Sequence, residues 1–574
     1  RRAKCPMTEN SDVSRKDLLR AALLSALAIP VASGASPSSL TQAAPGQSAA
    51  GQSAPDAPNA PTIDDIRAAE RLFGIEFTDE ERKAIARAVL DLPKGYAALH
   101  AAIPTPTLGL PMAFHPGGAP ENVRRKVSVR TTDPGRIEFA RLSDEDIAFL
   151  PIRAQAKLIR ERKLTSVALT RLYLNRLKLY GDRLKCVVRI REDAALAEAR
   201  RADAELAAGK DRGPLHGIPC GIKDLFQLKD EVVTWGAAPY RDQVFTEDAA
   251  VVERLRAAGA VIVAQLSMGA LAQGDIWFGG VTKNPWNEKQ GSSGSSAGSA
   301  SATAAGLVSY AIGTETLGSI CSPSVRCRVT GLRPTFGRVS RFGAMELSYT
   351  MDKIGPICRE VEDCALVLAA LIGRDPRDPA TIEAPFDYRP RRSLKGVKIG
   401  LSGVPDADAF AKNPIELGAE VKPVTFTPVP NGALTILEAE CGSAFEAFTR
   451  TGKVRDLGVS PWPPTFRKSR FIPAVEYLQA QRARAAVMAT FEREFADFDV
   501  LLVNDIGNTI YHTNLTGHPQ IVIPQGDDGK GNSLAKSLVG RKYREDALLA
   551  IARVAQEATD FHRRRPKLES GSPT

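Results

Sequence analysis

Apolar residues recur at helical spacing in the first part of the chain that has a regular pattern. One face of this part carries apolar residues from Ile66 to Phe73, which is typical of an amphipathic helix. Residues 78–81, Thr-Asp-Glu-Glu, are typical of the start of a second helix, because a threonine followed three positions later by a glutamate forms a capping box. The pattern therefore predicts helices between residues 62 and 100, followed by an irregular proline-rich arm at residues 104–120.

Beyond this arm the pattern is at first helical and then alternates. Helical spacing covers residues 144–180 and 192–208. Short apolar segments then alternate with helical ones, which indicates an α/β domain with a parallel or mixed sheet. The predicted strands are residues 217–222, 260–264, 307–312, 397–401, 500–503 and 521–523.

The first 61 residues have the composition of an export signal and a linker. A basic segment at residues 14–20 precedes an apolar run and small residues, an order that predicts an export signal over residues 1–35 with Met7 as its start. Lys16 replaces the second arginine of a twin-arginine signal. We expect an exported, periplasmic protein; the alternative is a cytoplasmic protein that begins with an amphipathic helix. Residues 36–61 are rich in Ala, Pro, Ser, Gln and Gly, so we expect a disordered linker.

Composition and charge argue against several classes of function. Of the 574 residues, 43% are hydrophobic and 25% are charged, as in ordinary soluble proteins. The net charge of +10 includes basic clusters at residues 124–126 and 563–565. No aromatic residues alternate with these clusters, so no nucleic-acid partner is expected. The eight cysteines form no Cys-x-x-Cys pair and the six histidines show no metal-binding spacing. We therefore predict no metal and no cofactor, and interpret the cysteines as buried core residues.

Three segments carry side chains suited to nucleophilic catalysis. The strand predicted at residues 217–222 leads to Lys223 and Asp224, a Gly/Ser run covers residues 291–301, and residues 313–320 read Gly-Thr-Glu-Thr-Leu-Gly-Ser-Ile. Each alone has a common structural explanation: a surface Lys–Asp ion pair, a flexible linker and a turn. The Gly/Ser run lies in mid-domain, however, where linkers are uncommon.

Together the three segments supply complementary parts of one reaction. A serine hydroxyl needs a base to accept its proton. Burial lowers the pKa of a lysine by several units from its usual value near ~10.4, and Lys223 follows an apolar strand. The successive backbone N–H groups of Thr316, Leu317, Gly318 and Ser319 are suited to form an oxyanion hole.

These residues resemble the motifs of the amidase signature family, which usually read Gly-Gly-Ser-Ser-Gly-Gly-Ser and then Gly-Thr-Asp-Thr-Gly-Gly-Ser-Ile. The first motif here is Ser-Gly-Ser-Ser-Ala-Gly-Ser, at residues 293–299. The resemblance implies a Ser-Ser-Lys triad with Ser319 as nucleophile, Ser295 as bridging serine and Lys223 as base. The two serines lie 24 residues apart, as in the family.

The resemblance extends beyond the triad. It implies a cis peptide between Gly294 and Ser295, and it places Ser296 beside the lysine as a supporting residue. Three further blocks are similar to family landmarks: residues 330–343, 352–356 and 514–519.

Fold and function follow from the resemblance as expectations. It implies an α/β catalytic domain at residues 141–566, built on a central mixed β-sheet covered on both faces by helices. Residues 62–140 are expected to add an N-terminal helical extension and arm, whose helices are a candidate homodimer surface. The implied activity is hydrolysis of the C–N bond of a small linear amide through an acyl-enzyme on Ser319, without a cofactor.

Three positions depart from the family motifs. Glu315 replaces an aspartate, and Leu317 replaces a glycine in the oxyanion turn. Cys321 stands where members that act on glutamine often carry an arginine for the substrate carboxylate. This argues against the alternative of a glutamine amidotransferase subunit.

Two further alternatives remain open. Residues 294–298 fit the Gly-x-Ser-x-Gly elbow of α/β-hydrolases, with His216 as base. That elbow must follow a strand, yet residues 283–293 are polar and show no strand pattern. The chain is alternatively an exported ligand-binding protein without catalysis, although Lys223, Ser295 and Ser319 are all intact.

Overall fold

The computed structural model describes residues 62–102, 127–404, 414–458 and 460–568. The expected export signal and linker, and the proline-rich arm at residues 104–120, lie outside the described residues. Within the described ranges, no helix is both long enough and apolar enough to cross a membrane.

The described residues form strands and helices that alternate along most of the chain. The strands are β1 Val127–Val129, β2 Val187–Ile190, β3 Pro219–Lys223, β4 Val261–Leu266, β5 Ile276–Trp277, β6 Gly280–Val281, β7 Lys283–Asn284, β8 Asn287–Gly291, β9 Tyr310–Glu315, β10 Thr330–Arg333, β11 Lys353–Cys358, β12 Phe386–Tyr388, β13 Lys398–Ser402, β14 Glu420–Pro423, β15 Val500–Asn504, β16 Gln520–Asp527 and β17 Ser533–Gly540. The α-helices are α1 Ile63–Phe73, α2 Asp79–Ala102, α3 Asp144–Phe149, α4 Ile152–Arg160, α5 Ser166–Tyr180, α6 Glu192–Ala207, α7 Ala250–Ala257, α8 Ala297–Ala304, α9 Cys321–Arg326, α10 Val361–Leu371, α11 Thr435–Ala444, α12 Glu446–Arg450, α13 Trp462–Ser469, α14 Ala474–Phe495, α15 Ile510–Thr516 and α16 Glu545–Glu557.

Eleven of the described strands form one mixed sheet. Their order is β14-β13-β15-β17-β16-β10-β11-β9-β3-β4-β2. Strand β3 pairs in parallel with both β4 and β9, whereas β11 pairs antiparallel with β9 and with β10. Because β3 and β9 are parallel neighbours, their carboxyl ends lie side by side at one edge of the sheet. The expectation of a central mixed sheet is confirmed.

The middle of this sheet is covered on both faces. Every residue of β3, β4 and β11 is buried, although successive side chains point to opposite faces of a sheet. Helices therefore have to cover both faces with apolar side chains. Helix α8, whose eight residues are all buried, contacts β3, β4 and β9.

Each strand predicted from the sequence is present, shifted by at most a few residues. The helical region predicted at residues 144–180 is divided into α3, α4 and α5. Pro151 precedes α4 with an extended backbone, and Thr165 caps α5 by accepting the N–H of Ala168. These residues end the helical runs, since proline cannot donate a backbone hydrogen bond and threonine favours caps.

The prediction that residues 283–293 contain no strand is wrong. Strands β7 and β8 form a two-stranded antiparallel hairpin there. The hairpin is separate from the large sheet and β8 is only half-buried. A strand without a buried face has no alternating apolar pattern, which explains why the sequence signal was missing.

The two N-terminal helices are joined by a buried ion pair. Arg82 of α2 contacts Glu70 of α1 at 2.8 Å, and both side chains are almost fully buried. Thr62 caps α1 in a capping box, and Gly74 ends it in the left-handed conformation, which glycine adopts without strain. Helix α2 also lies against α13 and α14.

Candidate active site

Lys223 lies at the carboxyl end of β3, surrounded by hydroxyl groups. Its side chain is fully buried. The amine Nζ lies 2.8 Å from Ser295 Oγ, 2.9 Å from Thr314 Oγ1 and 3.3 Å from Ser296 Oγ. The parallel pairing of β3 with β9 brings Thr314 to this point, since both residues lie at the carboxyl ends of neighbouring strands.

Ser295 and Ser296 are held by the tight turn between β8 and α8. The Gly294–Ser295 peptide is cis, as the resemblance implied. A side chain at Gly294 would meet the carbonyl oxygen of Gly274 at 1.8 Å, so only glycine fits there. The Ser296 hydroxyl donates to the Thr314 carbonyl at 3.0 Å and accepts the Thr314 N–H at 3.1 Å.

Ser319 reaches the same place through its backbone. Its carbonyl accepts the N–H of Ser296 at 3.1 Å. The residue is half-buried, and its hydroxyl has no hydrogen-bond partner within the described ranges. The N–H groups of residues 316–319 likewise donate to no described residue. The turn thus presents four free donors and one free hydroxyl. Gly318 has a φ of 103°, a conformation that favours glycine.

A buried carboxylate holds this turn from behind. Glu315 accepts the backbone N–H groups of Ile320 at 2.9 Å and Cys321 at 3.0 Å. It also accepts from Arg333 at 2.7 Å and from the Asn514 amide at 3.1 Å. Burial by itself would raise the pKa of Glu315, but nearby positive charges, above all Arg333, and these hydrogen bonds lower it to about 2. The carboxylate is therefore ionised.

Burial also sets the protonation state of the lysine. Desolvation lowers the pKa of Lys223 to about 7, although the negative charges of Asp352 and Glu315 oppose this. The three groups that contact the amine are all hydroxyls, and no salt bridge within the described ranges includes it. A substantial fraction of the amine is thus neutral near pH 7, as a proton acceptor requires.

Lys223 and Asp224 do not form the surface ion pair that such neighbours commonly make. Both side chains are fully buried. Asp224 accepts the N–H of Thr234 at 3.1 Å and the amide of Gln265 at 3.2 Å, and burial raises its pKa to about 7. The linker explanation of the Gly/Ser run is also wrong, because α8 begins within the run and is buried.

Several contacts of the site were not identified from the sequence. Thr314 contacts the lysine amine directly, and Thr316 donates to Asp352 at 2.6 Å. Asp352 also accepts two backbone N–H groups. Arg333 and Asp352 lie in blocks that resemble family landmarks, which is the signal that could have identified them, whereas Thr314 showed none apart from its place in the nucleophile motif.

The nucleophile-elbow alternative loses its base. His216 is buried away from the serines, and its Nδ1 accepts the N–H of Arg212 at 3.0 Å. Its Nε2 lies 3.2 Å from Glu205. Strand β8 does precede the motif, but Ser296, the elbow nucleophile, has its hydroxyl bonded to the backbone of Thr314 on both sides.

The seven described cysteines are all buried and none is in a disulfide. Their interpretation as core residues is confirmed. Cys321 packs in a small cluster with Val522 and Ala535.

A cleft leads towards the site from the surface. A cavity of about 660 Å³ is lined on several sides by aromatic and charged residues, including Phe342 and Tyr349. It shares Arg341, Ala344 and Glu346 with a small inner cavity of about 20 Å³. The inner cavity is also lined by Thr314 and Thr316, so the two cavities connect the surface with the surroundings of Lys223.

Comparisons with known proteins agree with this geometry. The family model described as Amidase matches residues 168–504. A glutamyl-tRNA(Gln) amidotransferase subunit from Thioalkalivibrio sulfidiphilus is 33% identical over 468 residues, which are 70% of this chain and 96% of that protein. AmiD of Mycobacterium bovis, named as a candidate amidase, is 33% identical over 472 residues, 76% of this chain and 99% of its own length.

Solved structures show the same relationship. The native peptide amidase from Stenotrophomonas maltophilia superimposes with a TM-score of 0.65 at 29% identity, covering 72% of this chain and 98% of that one. An amidase family protein from Bacillus anthracis gives a TM-score of 0.68 at 26% identity, covering 75% of this chain and 95% of that one. The similarity in fold therefore extends over nearly the whole length of these proteins.

Replacement of Arg333 by methionine tests the anchor of the turn. Arg333→Met leaves the Glu315 carboxylate buried without its partner, which typically costs about 3–5 kcal/mol. We expect a loss of this size in the free energy of unfolding, measured by urea denaturation. The matched control is Arg564→Met, which breaks the exposed pair with Asp560 and is expected to cost less than about 1 kcal/mol. Equal losses in the two variants would contradict the anchoring role.

Proposed function

Since this chain belongs to the amidase signature family of amide-hydrolysing enzymes, we propose that it hydrolyses the C–N bond of a linear amide through an acyl-enzyme on Ser319. The observation that supports this best is the buried Lys223 amine, 2.8 Å from the Ser295 hydroxyl. An amine whose pKa burial lowers to about 7 is a suitable general base at neutral pH.

In the proposed mechanism, protons move along the Ser-Ser-Lys triad. Lys223 accepts the proton of Ser295 while Ser295 accepts that of Ser319, and the Ser319 oxygen attacks the amide carbon. The backbone N–H groups of residues 316–319 stabilise the developing oxyanion. The C–N bond then breaks as the proton returns to the leaving amine, which leaves an ester on Ser319. Water, activated by the same route, hydrolyses this ester to the acid.

Thr314 and Ser296 are proposed to position the lysine. Their oxygens lie 2.9 and 3.3 Å from Nζ, and Ser296 is itself held by the backbone of Thr314. The amine is thereby directed at Ser295. Gly294 supports the turn, because a larger residue has no space there.

The substrate is proposed to enter through the cleft of about 660 Å³. Arg341 in this cleft is paired with Asp378 at 2.9 Å. The aromatic and apolar parts of the wall leave room for a bulky group. We propose a small-molecule amide as substrate.

A glutamine amidotransferase subunit is the second candidate, because relatives with that name are 33% identical to this chain. Cys321 opposes it, since this thiol is buried among apolar side chains and offers a substrate carboxylate no positive charge. Release of ammonia from free glutamine at a rate comparable with that from other amides would favour this candidate.

Labelling with a fluorophosphonate tests the proposed nucleophile. We expect a stoichiometric label on Ser319, identified by mass mapping, because a serine activated by a base attacks such probes. Ser319→Ala and Lys223→Ala should lose both the label and amide turnover while they remain folded.

The control for the labelling experiment is Ser324→Ala, which removes a nearby buried hydroxyl bonded to the Ile320 carbonyl. This variant should still be labelled at Ser319. A label on Ser296 would support the elbow alternative, and no label would support the ligand-binding alternative.

The pH dependence of turnover tests the role of the lysine. Lys223 is protonated below its pKa and neutral above it, so kcat/KM should rise through about pH 7 and then level off. Thr314→Val removes a hydrogen-bond acceptor that stabilises the charged amine, so this rise should move to lower pH while the plateau falls. A rise near pH 10, or none, would contradict the assignment.

Export remains a proposal from residues 1–35 alone. When the full chain is expressed in a bacterium with twin-arginine transport, we expect periplasmic protein whose N-terminal sequence begins near residue 36. An uncleaved cytoplasmic protein would contradict this proposal. A homodimer through the N-terminal helices likewise stays a prediction.

A further inference from the structure

Leu317, which departs from the family motif, packs against a cluster that includes the N-terminal extension. The cluster consists of buried apolar residues, with Leu317 partly buried against it: Leu99, Met351, Ala433, Ile436, Ala480, Ala483 and Leu515. Leu99 belongs to α2, whose residues lie outside the 168–504 matched by the family model. Two particular features of this chain thus meet at the proposed oxyanion turn.

The same cluster is adjacent to the groups that hold the turn. Met351 immediately precedes Asp352, which accepts the Thr316 hydroxyl at 2.6 Å. Leu515 immediately follows Asn514, whose amide donates to Glu315 at 3.1 Å. The packing of the cluster therefore bears on the turn through three links: the Leu317 side chain, Asp352 and Asn514.

Helix α2 is held closely on this cluster. A side chain at Gly432 would lie 2.7 Å from the carbonyl oxygen of Gly95 in α2 and 3.4 Å from the Cβ of Leu99. At the other end of α2, Glu81 accepts from Arg455 at 3.0 Å and also contacts Arg467. Close backbone approach and buried charge pairing together fix where Leu99 lies.

We propose that α2 is a built-in support of the oxyanion turn, and that Leu99 is a positioning residue for the amide-hydrolysing reaction. The proposal rests on the function proposed above for residues 316–319. Without Leu99 the cluster loses volume beneath Leu317, and packed cores respond to lost volume by shifting neighbours or leaving a cavity. Displacement of the turn weakens donors that must meet the oxyanion at about 2.7–3.1 Å.

The test compares two buried residues on the same helix. Leu99 and Ile85 are both fully buried, but Ile85 lies in a separate cluster with Ile66 and Phe77. Leu99→Ala and Ile85→Ala should lower the urea midpoint similarly. Only Leu99→Ala should lower kcat, by about tenfold, with KM changed less than twofold, and slow the labelling of Ser319 to the same degree.

A second pair of variants shows whether the effect passes through Leu317. In a Leu317→Gly background, Leu99→Ala should reduce kcat by a clearly smaller factor than in the wild type, because the side chain that transmits the change is gone. If Leu99→Ala does not fold, Leu99→Val is used in its place, with a proportionally smaller reduction expected.

Equal effects of Leu99→Ala and Ile85→Ala on kcat would overturn the proposal, since the helix would then contribute only general stability. Full additivity with Leu317→Gly would also overturn it. Failure of the underlying function is distinct, because in that case wild-type protein carries no label on Ser319.

Discussion

The burial of one amine among hydroxyl groups is the constraint on which the rest of the site depends. Lys223 Nζ is removed from water and has three hydroxyl oxygens within 3.3 Å. A charged amine is costly there, so its pKa falls to about 7. The surroundings satisfy the amine with hydroxyl oxygens and place the nearest carboxylates behind the turn, where they attract the amine without neutralising it.

The sheet makes this arrangement possible. Parallel pairing of β3 with β9 brings the ends of two strands together, and each end leads into one half of the site. The Gly/Ser turn before α8 then crosses between them and is held by Thr314 on one side and by the Ser319 carbonyl on the other. Because every link is a short hydrogen bond between buried groups, small displacements of the turn have large effects on geometry.

Two departures from the family motifs prove to be neighbours in space. The Glu315 carboxylate accepts the N–H of Cys321, and its charge is balanced by Arg333, 18 residues along the chain. A glutamate thus holds the turn through backbone groups, with an arginine from β10 as its partner. The third departure, Leu317, has its side chain accommodated by the cluster that also contains Leu99.

The sequence predicted the strands and the triad, but not the contacts that orient them. Apolar runs located β3 and β9, and the motifs named Lys223, Ser295 and Ser319. Sequence pattern alone did not show that Thr314 faces the amine, since this depends on the register between strands distant in sequence. It also missed the hairpin at β7 and β8, which has no buried face. Pairs such as Glu315–Arg333 arise only when the tertiary fold joins separate segments.

The central claim is that Lys223 is a base that is half neutral near pH 7. Its most direct test is an NMR titration of the lysine side-chain signals in the resting protein, with the Lys223 signal assigned by comparison with Lys223→Met. The account predicts a midpoint near pH 7 for this one lysine. A midpoint above pH 9 would show that the amine is charged in the resting protein and would contradict the account.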